Sequence, residues 1–381
     1  MIELTEYETR TVQLSQDEAF ELASLTRGST GETREPRVIE RLAPTKQSGV
    51  YDIQPGPYVG RFRLRTGRVV DISSRFSFYD LSALLGLAGK AALLRHDSTS
   101  AQGGSGLMDL IALAFVREAE RIVGQGLAKG YKQTILARPP YAGVPAVNAH
   151  LKAHAGRADR LVTTASRLSA DIALNQLIAS AHRKLCQLTY QDRQLEIRLR
   201  QLTPVFLNVS EREEDARQVP RPPARYRKVH DLAKLVLDHR TALPAGSGLA
   251  GVGVLFNMTK IWENYVGLWL RTHQPEALVH SQYPIPLVDI GPARQAGPDF
   301  VVERGGRPVA VYDAKYRPWR EWPSTAELYQ LFTYASRLCV DRAVLVCPGA
   351  ETRSRQITMG NVLVEAVAVS LQEVATWVDG S

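Results

Sequence analysis

The sequence has 381 residues, of which 44% are hydrophobic and 23% charged, a balance typical of a globular protein with two or three domains. It has no apolar run long enough to span a membrane, and its first residues (MIELTEYETR) lack the pattern of a secretory signal, which predicts a cytoplasmic protein without a membrane partner. The net charge of +8 favours a polyanionic partner, and three separated cysteines indicate a reducing compartment without a zinc site.

The first part, residues 1–95, is predicted to be rich in β-strands. YVGRFRLRTGRVVDIS (58–73) alternates apolar and basic positions around Thr66-Gly67, which is typical of a hairpin. Its outward face is predicted to carry Arg61, Arg63 and Arg65.

The middle part, residues 96–250, is predicted to be mainly helical. Apolar residues recur at helical spacing in LMDLIALAFVREAERIVGQGL, from Leu107 onward. A longer helix is predicted from about Ser169 to Leu202, with Ser169 and Asp171 as candidate capping residues. LPAGSGLAGVG (243–253) indicates a flexible boundary.

The last part, residues 251–381, is predicted to alternate helices and strands. LFNMTKIWENYVGLWLRTH (255–273) forms the first helix, strands 298–303 and 308–315 follow, and TAELYQLFTYASRLC (325–339) forms the second helix. This order predicts a central sheet with helices on its faces, so the whole chain is assigned to the α/β class as an α+β multidomain protein.

Charged residues interrupt the two strands of the last part. Asp313 and Lys315 share one strand face, and Asp299 begins the neighbouring strand. Two adjacent carboxylates raise each other's pKa unless a cation lies between them. Mg²⁺, with Mn²⁺ as the alternative ion, would be bound by Asp299, Asp313, the backbone carbonyl of Ala314 and waters. With Lys315 orienting water or offsetting phosphate charge, the group suits phosphodiester hydrolysis.

The register of this hairpin provides a test. A strict two-residue turn at Gly305-Gly306 pairs Asp299 with Tyr312 and leaves Asp313 on the opposite face. Convergence of the two aspartates requires a longer loop, a β-bulge, or a position of Asp299 just before the regular strand. One of these departures is therefore predicted.

The spacing of Pro298-Asp299 and Asp313-Ala314-Lys315 resembles the motif of the PD-(D/E)xK nuclease superfamily. The alternative is a surface hairpin with an Asp313–Lys315 salt bridge. The resemblance implies that residues 251–381 form a restriction-endonuclease-like domain with Asp299, Asp313 and Lys315 as catalytic residues.

Further positions fit the same resemblance. Glu263 lies on the preceding helix, where many members of the superfamily carry an additional acidic residue, and is a candidate catalytic residue and further metal ligand. Gln330 and Tyr334 match the QxxxY element of the branch resembling RecB nucleases, which implies a supporting role. Lys260 and Arg317 flank the site and are candidate DNA-phosphate contacts.

Longer segments are similar to the McrC family, the nuclease subunits of McrBC-type restriction systems. The matching segments are, in chain order, FVREAERIVGQGLAKGYK, SRLSADIALNQLIASAHRKL, FNMTKIWENYV, and DAKY followed by AELYQLFTYA. GPYVGRFRLRTGRVVDIS and FYDLSALLGLAG follow the family pattern loosely. Tyr141-Ala142-Gly143-Val144 departs from it, since the family has a short Arg-Gly-Arg-type motif there.

The McrC resemblance implies a Mg²⁺-dependent DNA endonuclease subunit of a modification-dependent restriction or defence complex. It implies that a separate McrB-like AAA+ ring, a GTPase or an ATPase, binds this chain through residues 1–95 and is activated by it. The chain has no GxxxxGK[ST] phosphate loop and is expected to bind no nucleotide itself. Two alternatives remain open: a non-cleaving adaptor that activates an AAA+ NTPase, and a self-sufficient DNA repair nuclease.

Overall fold

A computed structural model describes residues 1–26, 36–76, 84, 107–139, 141–154, 157, 159–190, 192–211, 221–238, 253–287, 295–320, 322–349 and 351–370. The chain divides into two compact units, Met1–Leu107 with Thr241–Ser381 (unit 1) and Met108–Arg240 (unit 2). The predicted boundaries at 95 and 250, the stretch 243–252 and, apart from Leu84, the segment FYDLSALLGLAG lie outside the described residues. Within the described ranges, every helix is too short or too polar to cross a membrane.

The N-terminal part of unit 1 consists of strands and one helix. They are β1 (Ile2–Thr5), β2 (Arg10–Gln13), α1 (Gln16–Ser24), β3 (Ile39–Pro44), β4 (Val50–Pro55), β5 (Tyr58–Arg63) and β6 (Val69–Ser73). The antiparallel pairing of β5 with β6 confirms the predicted hairpin. β1 runs parallel to β6, while β2, β4 and β3 form a separate sheet in that order.

The prediction that Arg61 lies on an outward face of the hairpin is wrong. Its side chain is fully buried, and Nε donates to Oδ1 of Asp71, its cross-strand partner, at 2.8 Å. Five of the six residues of β5 are buried, so both faces of this strand are covered and alternation does not expose Arg61. Arg63 and Arg65 are exposed as predicted.

Unit 2 combines helices with a small sheet. Its elements are α2 (Leu107–Gly124), β7 (Gly130–Leu136), β8 (Val144–Pro145), α3 (Val147–His154), β9 (Thr163–Ser169), α4 (Ala173–Cys186), α5 (Arg193–Phe206) and α6 (Arg227–Asp238). The long helix predicted over 169–202 is wrong, because Ser169 ends β9 and the helical stretch is divided into α4 and α5. Asp171 pairs with Lys132 and accepts from Ser210 instead of capping a helix.

The C-terminal part of unit 1 contains the predicted alternation of helices and strands. Its elements are β10 (Gly253–Asn257), α7 (Met258–His273), β11 (Leu278–Ser281), β12 (Ile285–Pro286), β13 (Gln295–Ala296), β14 (Phe300–Arg304), β15 (Arg307–Ala314), α8 (Thr325–Leu338), β16 (Arg342–Gly349), β17 (Arg353–Met359) and β18 (Val362–Ser370). Six strands form one sheet in the order β11-β14-β15-β16-β18-β17, in which β15, β16 and β18 are parallel. Leu331 and Ala335 of α8 pack in the same core as Val311 and Leu345 of the sheet.

The start of the first predicted helix requires a correction. Leu255 and Phe256 belong to β10, which pairs with β5 of the N-terminal sheet. Helix α7 begins after them, at Met258. Asn257 is its N-cap, because its side chain accepts hydrogen bonds from the backbone N–H groups of Thr259 and Lys260. The first and last predicted parts of the chain therefore share a sheet.

Candidate active site

The hairpin of β14 and β15 brings the two motif aspartates opposite each other. Phe300 pairs with Tyr312 and Glu303 pairs with Pro308, so the register shifts by one residue at a bulge between Val302 and Glu303. Continuing the register from the Phe300–Tyr312 pair places Asp299 across from Asp313, with Asp299 just before the regular strand. The predicted departure from a strict hairpin is confirmed, since both a bulge and a pre-strand position are present.

Asp299 is held by donors on two sides. Its Oδ2 accepts from the backbone N–H of Ala314 at 2.7 Å, and its Oδ1 accepts from Nε2 of Gln282 at 3.3 Å. Burial, followed by the charge of Asp313, raises the pKa of Asp299 to about 6. Removing the carboxylate from water thus outweighs the hydrogen bonds that favour its ionised form.

Asp313, which is buried, and Lys315, which is partly exposed, form an ion pair at the end of β15. Asp313 is 2% exposed, which argues against the alternative of a surface salt bridge. Nζ of Lys315 lies 2.8 Å from Oδ2 of Asp313, although this oxygen accepts no hydrogen bond of regular geometry. Burial alone would lower the pKa of Lys315, but the charges of Asp313 and Asp299 raise it. The lysine therefore stays a cation beside the two carboxylates.

Glu263 adds a third acidic group from α7. Burial and then the charge of Asp299 raise its pKa to about 7, with a further contribution from Asp313. The neighbouring Trp262 anchors this part of α7 to the sheet, because its Nε1 donates to the carbonyl oxygen of Val346 at 3.1 Å. The same carbonyl accepts from the backbone N–H of Lys315 at 2.9 Å, so helix and motif strand share one attachment point.

The supporting pair on α8 lies near the same group. Nε2 of Gln330 donates to the phenol oxygen of Tyr334 at 2.7 Å. Burial raises the pKa of Tyr334, and the charges of Asp313 and Asp299 also raise it. The helix that packs on the sheet thus brings Gln330 and Tyr334 toward the carboxylates.

The two candidate phosphate contacts differ in their surroundings. Lys260 is exposed on the first turn of α7 and contributes to the electrostatic environment of Glu263. Arg317 instead forms a two-pronged ion pair with Glu327, with Nε–Oε1 and Nη2–Oε2 distances of 2.8 and 3.0 Å. Both side chains of this pair are largely buried, so the guanidinium is engaged within the protein.

The donor set fits a hard divalent cation. Two facing carboxylates and a third one nearby share the single cation of Lys315, and burial together with their mutual repulsion raises the pKa values of Asp299 and Glu263. Among the described residues, no three acidic, histidine or cysteine side chains form a ready cluster for a metal. A site with two carboxylates and a carbonyl suits Mg²⁺, which retains several waters and uses few protein ligands.

Comparison with known protein families identifies the chain. The sequence model of the family described as "McrBC 5-methylcytosine restriction system component" matches residues 53–348. The chain belongs to this family. The McrC resemblance of the separate segments is thereby confirmed. No curated protein matches the chain.

A solved structure shows the same fold as this McrBC family member. A chain in the Thermococcus gammatolerans assembly of McrB AAA+ hexamers with bound McrC has a TM-score of 0.64 at 17% identity, covering 100% of this chain and 99% of that one. A chain of the cryo-EM structure of the Thermococcus gammatolerans McrBC complex has a TM-score of 0.45 at 16% identity, with coverages of 71% and 86%. The first of these likenesses confirms the predicted mixed α/β class.

Two further residues of this McrBC family member contact the site region without belonging to a recognisable sequence motif. Gln282 donates to Asp299, and Tyr316, which follows Lys315, donates to Glu6 at 2.7 Å. Gln282 has no local sequence signal, because an exposed glutamine after a strand is ordinary. Tyr316 belongs to the DAKY segment, but its partner Glu6 lies at the other end of the chain, so the sequence does not indicate that the two residues meet.

Proposed function

We propose that this protein is a Mg²⁺-dependent DNA endonuclease subunit of a McrBC-type restriction complex, acting in the cytoplasm in defence against foreign DNA. The observation that carries the proposal is the register of the β14–β15 hairpin, which sets Asp299 opposite Asp313 with Lys315 paired to it. A PD-(D/E)xK nuclease needs this convergence of two carboxylates and a lysine. Membership of the McrBC family supports the same function.

The residues have separable roles in hydrolysis of a phosphodiester bond. Asp299, Asp313 and the carbonyl of Ala314 would hold Mg²⁺ or Mn²⁺, with Glu263 as a further ligand, and the bound ion supplies Lewis-acid polarisation of phosphate and water. Lys315 orients the attacking water and offsets the charge that develops on the phosphate. Gln330 and Tyr334 support the site from α8. The net charge of +8 favours association with DNA.

We further propose that a separate AAA+ NTPase works with this chain. The related Thermococcus gammatolerans structure contains McrB AAA+ hexamers with bound McrC, and this sequence lacks a phosphate loop of its own. The partner would be a McrB-like ring that hydrolyses GTP or ATP. Residues 1–95 are predicted to contact it.

Unit 2 carries a surface that supports partner binding as well. Tyr131 pairs with Leu168, and Thr164 pairs with both Ile135 and Val144, so these side chains share one face of the β7-β9-β8 sheet. The four apolar ones, here called the apolar surface of unit 2, are 80% (Tyr131), 62% (Ile135), 68% (Val144) and 58% (Leu168) exposed. Gln133 and Ser166 lie between the Tyr131–Leu168 pair and Ile135 on this face. Exposed apolar groups gathered on one face are typical of protein interaction sites.

The test is cleavage of methylated and unmethylated plasmid DNA with Mg²⁺, with and without the cognate AAA+ NTPase. We expect cutting by the wild type only with the partner, and no cutting by Asp313→Ala. Asp341→Asn, which changes an exposed carboxylate between α8 and β16, outside residues 1–95, is the matched control and should cut normally.

The outcomes separate the alternatives. Cutting by Asp313→Ala would overturn the proposed site, and partner-free cutting by the wild type would favour a self-sufficient repair nuclease. If neither the wild type nor Asp313→Ala cuts, yet both stimulate NTP hydrolysis, the adaptor function replaces the nuclease.

A further inference from the structure

Gln282 follows the last residue of β11 and stands opposite Asp299. Ser281 pairs with Phe300, so the next antiparallel position joins Gln282 to Asp299. The backbone N–H of Gln282 donates to the carbonyl oxygen of Asp299 at 2.8 Å, which continues the ladder by one step. The register therefore fixes Gln282 beside a candidate metal ligand.

The backbone of Gln282 is in a conformation that glutamine rarely adopts. Its φ angle is +52°, in the left-handed region favoured by glycine and, among other residues, by asparagine and aspartate. The side chain is exposed, so its burial does not offset this strain. Glycine would occupy the position without strain, which indicates that the glutamine side chain has a use here.

That side chain reaches the carboxylate of Asp299. Nε2 of Gln282 lies 3.3 Å from Oδ1, while the backbone N–H of Ala314 holds Oδ2 at 2.7 Å. One donor on each oxygen defines the plane of the carboxylate. Asp299 needs such support because it precedes β14 and lies outside the regular strand.

The chain around Gln282 is arranged to keep this contact. β11, before it, pairs with β14, and β12, after it, pairs with β13 through Ile285 and Ala296. The segments on both sides of Gln282 are thus bound to the segments on both sides of Asp299. The two residues are aligned by four short strands rather than by a free loop.

We propose that Gln282 is a positioning residue that orients the Asp299 carboxylate for a divalent cation; this inference rests on the proposed nuclease function. A carboxamide suits the task because it donates a hydrogen bond to an ionised oxygen without adding charge. The remaining lone pairs of Oδ1 stay available to the cation. Partners of this kind tune metal sites although they do not touch the metal.

The test compares two substitutions of Gln282 in the full chain. Gln282→Gly removes the side chain and relieves the backbone strain, whereas Gln282→Ala removes the side chain and keeps the strain. The measurements are Mn²⁺ binding by calorimetry without DNA, the melting temperature, and the Mg²⁺ concentration for half-maximal cleavage with the partner NTPase. Cys339→Gly is the matched control, since Cys339 is exposed and also has a positive φ, of +54°.

We expect Gln282→Gly and Gln282→Ala to bind Mn²⁺ roughly tenfold more weakly than the wild type and to need correspondingly more Mg²⁺. Gln282→Gly should melt at or above the wild-type temperature, and Gln282→Ala below Gln282→Gly. Cys339→Gly should melt at or above the wild-type temperature with unchanged Mn²⁺ affinity.

Two contrary results have different meanings. If Asp299→Asn abolishes Mn²⁺ binding while Gln282→Gly retains wild-type affinity and Mg²⁺ dependence, the role of Gln282 is overturned and the metal site stands. If the wild type binds no Mn²⁺, the proposed metal site fails and the role of Gln282 fails with it.

Discussion

The phenol of Tyr316 donates a hydrogen bond of 2.7 Å to Oε1 of Glu6, a residue 310 positions earlier in the chain. Tyr7 strengthens the connection, since its phenol donates to the carbonyl oxygen of Tyr316, also at 2.7 Å. The guanidinium of Arg75 lies over the rings of Tyr7 and Tyr316, at 5.3 and 4.9 Å from their centroids. The turn after β1 is thereby attached to the residue that follows Lys315.

Removing the phenol tests this attachment. Tyr316→Phe leaves the fully buried Glu6 without one donor, so we expect the free energy of unfolding of unit 1 to fall by about 1–3 kcal/mol. Chemical denaturation measures the change. Tyr329→Phe, on an exposed part of α8, is the control and should be neutral. Equal stability of Tyr316→Phe and wild type would mean that the hydrogen bond contributes nothing.

The ionisation of Glu6 predicts a pH dependence. Burial raises its pKa above the usual 4.5, although Tyr316 and Arg75 lower it. At pH values near and above 4.5, the Glu6 carboxyl therefore holds its proton more tightly in the folded chain than in the unfolded chain. Its contribution to stability falls as the pH rises, until the pKa of the folded state is passed. Glutamine does not titrate, so Glu6→Gln lacks this loss of stability. The free energy of unfolding of the variant minus that of the wild type should therefore increase with pH.

Denaturation of both proteins between about pH 4 and pH 8 measures that difference. The raised pKa values of Asp299 and Glu263 are common to both and cancel. A difference that does not change with pH would show that the Glu6 pKa is the same in folded and unfolded chains.

Lys315 should act in the reaction rather than in partner activation. Lys315→Met removes the cation beside Asp313, and we expect cleavage to fall by roughly 100- to 1000-fold. Stimulation of the AAA+ partner should be retained. Lys228→Met, at an exposed position of α6 and outside residues 1–95, provides the control. Wild-type cleavage by Lys315→Met would remove the lysine from the mechanism.

Substitution of Gly60 tests the pairing of β5 with β10. Its φ is +141°, and an added Cβ would lie 2.2 Å from the carbonyl oxygen of Val254. Gly60→Ala should therefore lower the free energy of unfolding by about 2–4 kcal/mol. Gly67 also has a positive φ but has open space around it, so Gly67→Ala should cost only about 1–2 kcal/mol. Similar losses in denaturation experiments would contradict the close contact.

The apolar surface of unit 2 yields a prediction about partner binding. Tyr131→Ser with Leu168→Ser should change stability by less than about 0.5 kcal/mol, because both side chains are exposed. Binding of the AAA+ partner, measured by interferometry, and stimulation of its NTP hydrolysis should fall at least about tenfold. Leu207→Ser, which changes another exposed residue of unit 2, is the control. Unchanged binding by the double variant would exclude this surface as a contact.

Local patterns predicted the site hairpin and its helices well. The alternation around Gly305-Gly306 located β14 and β15, and the conflict between a strict turn and two converging aspartates predicted an irregularity that the structure contains. Helices α7 and α8 followed from apolar spacing, and α8 begins with a Ser324–Glu327 capping box. Each of these features is determined by residues close in sequence.

Features that depend on distant residues were not predictable in this way. Arg61 was predicted to be exposed because nothing in its own strand indicates that both faces are covered. Leu255 and Phe256 fit a helical pattern, but their pairing with Gly60 and Val59 places them in a strand. Gln282 acquires its contact with Asp299 only through the pairing of β11 with β14. Tertiary pairing overrides local preference in all three cases.

The continuity of β10 with α7 has a practical consequence for dividing this gene. A cut near residue 250 would leave a C-terminal fragment in which β10 lacks β5, and an N-terminal fragment with an open sheet edge. Residues 108–240, by contrast, hold the β7-β9-β8 sheet entirely within themselves, and each of the five described sheets lies inside a single unit. Unit 2 is therefore the part of this protein that can be exchanged as a whole. Chimaeras that take unit 2 from a relative would keep every strand pairing of the sheets around Asp299 and Asp313.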